Sequence, residues 1–387
     1  MIEFLSPVSV EVIAHCELLP NGVIGKSTEL HSDKSGIPNL TNVKFAFFGI
    51  KENRNDVDFK GDEVNFDQIR KQFYSLYPGN WFHKLVDLGD IERGETVDDT
   101  YFAVKNVVET LLKKKIIPII LGGSQDLVYA QYRAYDFFEN MVNLVNVDSR
   151  FDLGDAEHPI NNKSYVGKII VNKPYNLFNF SALGYQSYFN APAEIALMDK
   201  LYFDAYRLGS IANNIVLSEP IMRNADLVSV DLSAIKNAEL GLKNGSSPNG
   251  FDGREICAIA RYAGISNKVS SFGFYEIGNL NTSQTAAMLV AQAFWYFIEG
   301  VNFRIEDEDF KDEKSYIAYH VPVDDEVLNF KKSNKTGRWW IELPFISNVD
   351  TKIKRNTLLP CTYEEYIGAT NQEIPERWLK SRRKNEV

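Results

Sequence analysis

The stretch Ile116-Ile-Pro-Ile-Ile-Leu-Gly-Gly123 is a solid apolar run that stops on a glycine pair. A segment this short and this uniformly apolar suits a strand buried on both faces, because a half-exposed strand would alternate. The form recurs along the chain. Residues 43–50 are nearly all apolar, residues 142–147 stop on Asp148, residues 225–230 on Asp231, and residues 269–275 on Glu276. Between these runs lie amphipathic helical patterns. Residues 101–114 place Phe102, Val107, Val108, Leu111 and Leu112 on one stripe. Asp252-Gly-Arg-Glu255 reads as a capping box opening a helix that reaches Tyr262. Residues 282–298 carry Ala286, Leu289, Val290, Ala293 and Phe297 on one side. Buried strands alternating with such helices predict an α/β chain, a three-layer α/β/α sandwich with a mainly parallel sheet. Ligands of such sheets sit outside the carboxyl ends of the strands. Gly122-Gly123, Asp148, Asp231 and Glu276 all fall there.

Composition narrows the function. The chain has 387 residues, 44% hydrophobic and 24% charged, ample for a large core in an ordinary water-facing protein. A formal net charge of -10 without a basic block argues against a nucleic-acid partner. Cys16, Cys257 and Cys361 are scattered and form no CxxC pair, so they are expected to be small buried hydrophobes in a reducing compartment. No signal-peptide pattern opens the sequence, and no run reaches about 18 apolar residues, so the expected location is the cytoplasm, with no membrane insertion.

The chain changes character near residue 306. An acidic, Lys-rich linker (307–314) precedes two strand-like runs, 315–323 and 338–343, and a basic end. We therefore expect two units: residues 1–306 as the α/β domain, and residues 307–387 as an appended β-rich extension with a frayed tail. Trp339-Trp340 belong to the packing of that extension rather than to base stacking, given the acidic chain. Gly22-Val-Ile-Gly-Lys-Ser27 is a short imitation of a phosphate loop, with Pro20 where the first glycine should stand.

The strand-end blocks resemble the ureohydrolases: arginase, agmatinase and formimidoylglutamase. Leu121-Gly-Gly-Ser-Gln-Asp126 is similar to that family's Gly-Gly-Asp-His block, Asn146-Val-Asp-Ser-Arg-Phe-Asp152 to its Asp-Ala-His-x-Asp block, and Ser229-Val-Asp-Leu-Ser233 to its Ser-x-Asp-x-Asp block. Asn249-Gly-Phe-Asp-Gly-Arg-Glu255, Phe272-Gly-Phe-Tyr-Glu-Ile-Gly278, Asp87-Leu-Gly-Asp90 and Arg207-Leu-Gly209 fit in order, and Gly184-Tyr-Gln-Ser-Tyr-Phe189 resembles the formimidoylglutamase branch. The resemblance spans residues 43–299 and implies the arginase-like fold and hydrolysis of a guanidino or formimino carbon by a hydroxide held between two Mn²⁺ ions.

The ligand set implied by that resemblance is incomplete. Asp148, Asp152 and Asp231 keep their carboxylates. Gln125 and Arg150 stand where imidazoles are expected, and Ser233 where an aspartate is expected. Arginine has no lone pair to donate and stays charged. We expect its guanidinium to take a metal's place between Asp148 and Asp152. The family's proton-transfer histidine would fall near Tyr165. His158 reads as a loop histidine before Pro159, and Glu276 keeps the acid that would bind the substrate's planar cation or else pair with Arg150.

Three readings remain open at this stage. The first is a non-catalytic scaffold or partner-binding protein, its partner another protein or a second copy of itself, with no cofactor and with Gln125, Arg150, Ser233 and Glu276 lining a vestigial cleft. The second is a hydrolase of the formimidoylglutamase or arginase type, with manganese on Asp148, Asp152 and Asp231. The third is a binder of a small anionic ligand gripped by Arg150. A salt-bridged Arg150 favours the first, a displaced one the second, and one facing open solvent the third.

Overall fold

The computed structural model describes residues 2–58, 63–138, 140–155, 157–241, 247–277, 283–307, 312–344 and 358–386. Nine strands form one sheet: β1 (Glu29–Leu30), β2 (Val43–Ile50), β3 (Lys84–Ile91), β4 (Ile117–Gly122), β5 (Val142–Val147), β6 (Leu177–Tyr185), β7 (Asp204–Arg207), β8 (Leu227–Asp231) and β9 (Ser271–Tyr275). Their order is β1-β3-β2-β4-β9-β8-β5-β6-β7, and every pairing is parallel. Every residue of β4, β5, β8 and β9 is buried, which is why those strands read as unbroken apolar runs. Gly278 and Thr282, named in the sequence reading, lie outside the described residues.

Helices cover both faces. Val97–Lys113 opens on a capping box between Thr96 and Asp99 and buries Val104, Val107, Val108, Leu111 and Leu112. Phe102, assigned above to that stripe, is instead 61% exposed. Gly253–Ile265 opens on the Asp252/Glu255 capping box as expected and runs three residues past Tyr262. It lies directly against the long helix Gln284–Asn302. A Cβ on Gly264 would meet the Phe297 carbonyl oxygen at 2.1 Å, and one on Gly300 the Arg261 carbonyl oxygen at 2.5 Å. The two glycines let these backbones touch.

Beyond the main sheet, β10 (Tyr316–Val323), β11 (Glu326–Ser333), β12 (Trp339–Glu342) and β13 (Leu358–Cys361) form an antiparallel sheet in sequence order. Trp339 stacks on Tyr366 (4.7 Å between ring centres), and Trp340 lies under the Arg223 guanidinium (4.4 Å). Both tryptophans are buried, as the packing reading required. The basic end is not frayed. Tyr363–Thr370 and Glu376–Glu386 are helices. The latter joins the two sheets: Trp378 Nε1 donates to the Glu342 carbonyl of β12 (2.7 Å), while Lys380 Nζ donates to the Phe203 carbonyl (3.3 Å) and Lys384 Nζ to Asn179 of β6. The terminal segment thus braces the β6–β7 side of the sheet, where a bare edge strand would otherwise be left.

Candidate functional site

The carboxyl ends of β4, β5, β8 and β9 bring Gln125, Asp148, Arg150, Asp152, Asp231, Ser233 and Glu276 to one end of the sheet. Hydrogen bonds tie the strand ends together. Gln125 Nε2 donates to Asn146 Oδ1 (2.9 Å), Ser229 Oγ donates to the same oxygen (2.6 Å), and Asn146 Nδ2 donates to Asp148 Oδ2 (3.2 Å). The Gln125 backbone N–H donates to Glu276 Oε1 (2.8 Å) and the Ser233 N–H to Asp231 Oδ1 (2.5 Å). Ser233 Oγ stands 3.5 Å from Asp148 Oδ1. Asp152 (φ 52°) and Glu276 (φ 63°) both hold left-handed backbone, a conformation that non-glycine residues keep mainly where surrounding structure imposes it.

The electrostatics are dominated by burial of negative charge. Burial raises the Asp148 carboxyl above the usual carboxylate range. Asp152 and Asp231 go well above it, each through burial first and then through the Asp148 charge. Glu276 rises for burial and then for Asp231 and Asp56. The Asp148 carboxyl beside Asp152 and the Asp56 carboxyl beside Glu276 each raise their neighbour further. Among the described residues, Asp152 Oδ2 and Gln125 Oε1 are buried without a hydrogen-bond partner.

Arg150 does not sit among these acids, which corrects the expected bridge to Asp148 and Asp152. Only its backbone N–H meets Asp148 (2.9 Å to Oδ1). Its guanidinium turns away, donates to the Phe189 carbonyl (2.7 Å) and lies over the Phe189 ring (4.8 Å). It is half-buried, neither salt-bridged nor open to solvent. A carbonyl and an aromatic face supply a partner that costs less desolvation than a position deep among the carboxylates.

Sequence reasoning missed two acids. Asp56, in the loop after β2, is buried and receives Asn162 Nδ2 at 3.3 Å, and the same Nδ2 lies 3.2 Å from Glu276 Oε1. Asp126 is fully buried between the Tyr101 and Ser124 hydroxyls, and burial lifts its carboxyl to about 6. Asp126 was visible in the Gly-Gly block, whereas nothing around Asp56 marked it. Tyr165 is buried, and its hydroxyl is pushed up by burial and then by Asp152 and Asp148, so it does face the site. The other candidates stay bland. His158 is exposed and pairs with Asp155 (2.9 Å). Lys26 of the imitation phosphate loop donates to the Glu17 carbonyl (2.7 Å). The three cysteines are free and buried. Among the described residues, no group of three or more His, Cys, Asp or Glu side chains is arranged to hold a metal ion, and no helix is long and apolar enough to cross a membrane.

Comparison with known proteins agrees with this architecture. The formimidoylglutamase of Staphylococcus epidermidis is 26% identical over 120 residues, 30% of this chain and 38% of that enzyme, so the match spans well under half of the relative. The formimidoylglutamase of a Geobacillus species is 21% identical over 54% of this chain and 67% of its own length. Trypanosoma cruzi formiminoglutamase, solved with Mn²⁺, superposes with a TM-score of 0.61 at 16% identity, covering 69% of this chain and 96% of that one. The agmatine ureohydrolase of Thermoplasma volcanium gives 0.58 at 19% identity, covering 73% and 95%. The model of the Arginase family matches residues 44–299, about two thirds of the sequence. With its parallel sheet and its ordered strand-end blocks, this chain belongs to the Arginase family.

Proposed function

We propose that this family member is a non-catalytic protein that binds a protein partner rather than a dimanganese amidine hydrolase. The observation that carries the reading is the donor set at the strand ends. Two Mn²⁺ ions with a bridging hydroxide call for imidazoles beside carboxylates. Here the two imidazole positions hold Gln125, which offers only a neutral amide oxygen, and Arg150, which has no lone pair to donate and whose guanidinium is committed to Phe189. The remaining ligand candidates are the carboxylates Asp148, Asp152 and Asp231, with no imidazole among them. The residues present therefore do not fit the metal pair, and no catalytic step is derived through it. The strand ends are instead cross-linked by Gln125, Asn146 and Ser229, which favours a fixed scaffold.

Phe82 (73% exposed) and Phe303 (52%) lie on one surface, joined by the bond from the Phe82 N–H to Asn302 Oδ1 (3.1 Å). Exposed rings of this kind suit a covering partner. One observation favours the hydrolase alternative: Asp152 Oδ2 is a buried acceptor without a donor, which a single cation shared with Asp148 and Asp231 would satisfy. Assays of formimidoylglutamate, agmatine and arginine with added Mn²⁺ separate the readings. The proposal predicts release no faster than in protein-free buffer. Metal-dependent turnover abolished by Asp152→Asn would overturn it.

A further inference from the structure

The opposite end of the sheet holds a second feature. Under the amino-terminal ends of β2, β4, β5 and β9 lies a cavity of about 300 Å³. Three cations line it: Lys44 in β2, Lys115 just ahead of β4, and Arg304 just past the helix Gln284–Asn302. Arg304 is fixed in the wall, its Nε donating to the Gly264 carbonyl (2.8 Å) and a terminal nitrogen to the Val269 carbonyl (2.8 Å). Among the described residues, one acid, Asp226, also lines the cavity. Its carboxylate already takes Lys268 (3.4 Å) and the Asn143 backbone N–H (2.7 Å). Among the described residues, no carboxylate pairs with Lys44, Lys115 or Arg304. Leu112, Phe138 and Met141 supply apolar wall beside them.

Unneutralised like charges around one cavity are unfavourable unless an anion joins them. The neighbouring groups register that strain. Burial lowers the Lys44 ammonium below its ordinary range, and the Arg304 and Lys115 charges lower it further. Burial alone brings Arg304 down to about 10. His83 is lowered by burial and then by Lys44 and Arg304. A cavity of this size with a few convergent polar groups and apolar walls matches a small-molecule site.

We propose that this cavity binds a small phosphate ester, with the phosphate on Lys44, Lys115 and Arg304 and a compact apolar body against Leu112, Phe138 and Met141. A phosphate dianion is the oxyanion whose charge best answers three cations. The site lies at the far end of the strands from the acidic cluster and stands independently of the reading given above for that cluster.

The test is titration calorimetry of the full chain at low salt with phenyl phosphate, inorganic phosphate and phenol. Phenyl phosphate is expected to bind one per chain, inorganic phosphate more weakly, and phenol not measurably. Lys44→Gln and Lys115→Gln are each expected to weaken phenyl phosphate by about tenfold or more. Lys115 is exposed, so at least that variant should keep its fold, which circular dichroism checks. No binding of phenyl phosphate, or affinity unchanged from the natural chain in both lysine variants, overturns the proposal. So does inorganic phosphate binding as tightly as the ester, which would mean an adventitious ion only. Affinity lost in Arg150→Gln but kept in the lysine variants would place the anion at the other end of the sheet and overturn the proposal equally.

Discussion

Arg223→Met should loosen the C-terminal sheet, because the Arg223 guanidinium joins two of its strands to the main domain. Arg223 is 3% exposed. Its terminal nitrogens donate to the Trp339 carbonyl (3.0 Å) and the Cys361 carbonyl (3.1 Å), it ion-pairs with Glu219 (3.1 Å), and its plane covers Trp340 (4.4 Å). Each charged hydrogen bond is worth roughly 1.5–3 kcal/mol, and a desolvated cation–π contact up to about 2 kcal/mol. The gross loss is roughly 5–8 kcal/mol. Against it stands the desolvation that pushes the Arg223 guanidinium below its ordinary range, a cost methionine does not share. The net destabilisation should be about 3 kcal/mol. Urea unfolding followed by tryptophan fluorescence reads it, since Trp339, Trp340 and Trp378 all sit in the extension. The expected result is an early transition in the variant that moves away from the main unfolding step. A midpoint change equivalent to less than about 0.5 kcal/mol, with one unchanged transition, would refute the idea that Arg223 anchors the extension.

Two further perturbations probe the same packing. Gly264→Ala forces a Cβ into the Phe297 carbonyl, so the helix pair must separate, at a cost of roughly 1–3 kcal/mol or more in thermal or urea unfolding. Lys384 is held down to about 8 by burial, against about 10.4 for a free lysine. Between those values the unfolded chain keeps a proton that the folded chain has shed. Stability from this group is therefore lowest below about pH 8 and recovers as the pH rises toward about 10. Lys384→Met should exceed the wild type by about 1 kcal/mol at about pH 7, less than the full shift because Asn179 loses its donor, and the advantage should vanish by about pH 10. An advantage that grows with pH would contradict the assignment.

The parallel sheet was legible because its central strands are buried on both faces and so carry no polar alternation. The site blocks were legible for a related reason: they sit at strand ends, where the fold puts its chemistry. β3 and β6 escaped notice because polar residues interrupt them. Asp87 and Asp90 in β3 are neutralised by the fully buried Arg70 (2.8 Å to each), and Asn179 in β6 receives Lys384 and gives its amide hydrogen to Asp204 (2.8 Å). Those partners come from distant segments that no local window contains. The tail read as frayed because its charge is high, yet Trp378 and Lys384 find their places 36 and 205 residues away. The orientation of Arg150 was equally hidden, since Phe189, 39 residues on, decides it. Asp56 could be found only after the sheet had folded it against Glu276.

The central claim is that the strand-end acids no longer hold a manganese pair. The most direct measurement is metal per chain by elemental mass spectrometry, after incubation with Mn²⁺ and desalting. It should be run beside a Gln125→His, Arg150→His, Ser233→Asp variant that supplies the missing donors. The account predicts no retained manganese in the natural chain and measurable manganese in the variant. Two manganese ions per natural chain would contradict it, and one would return the hydrolase reading to first place.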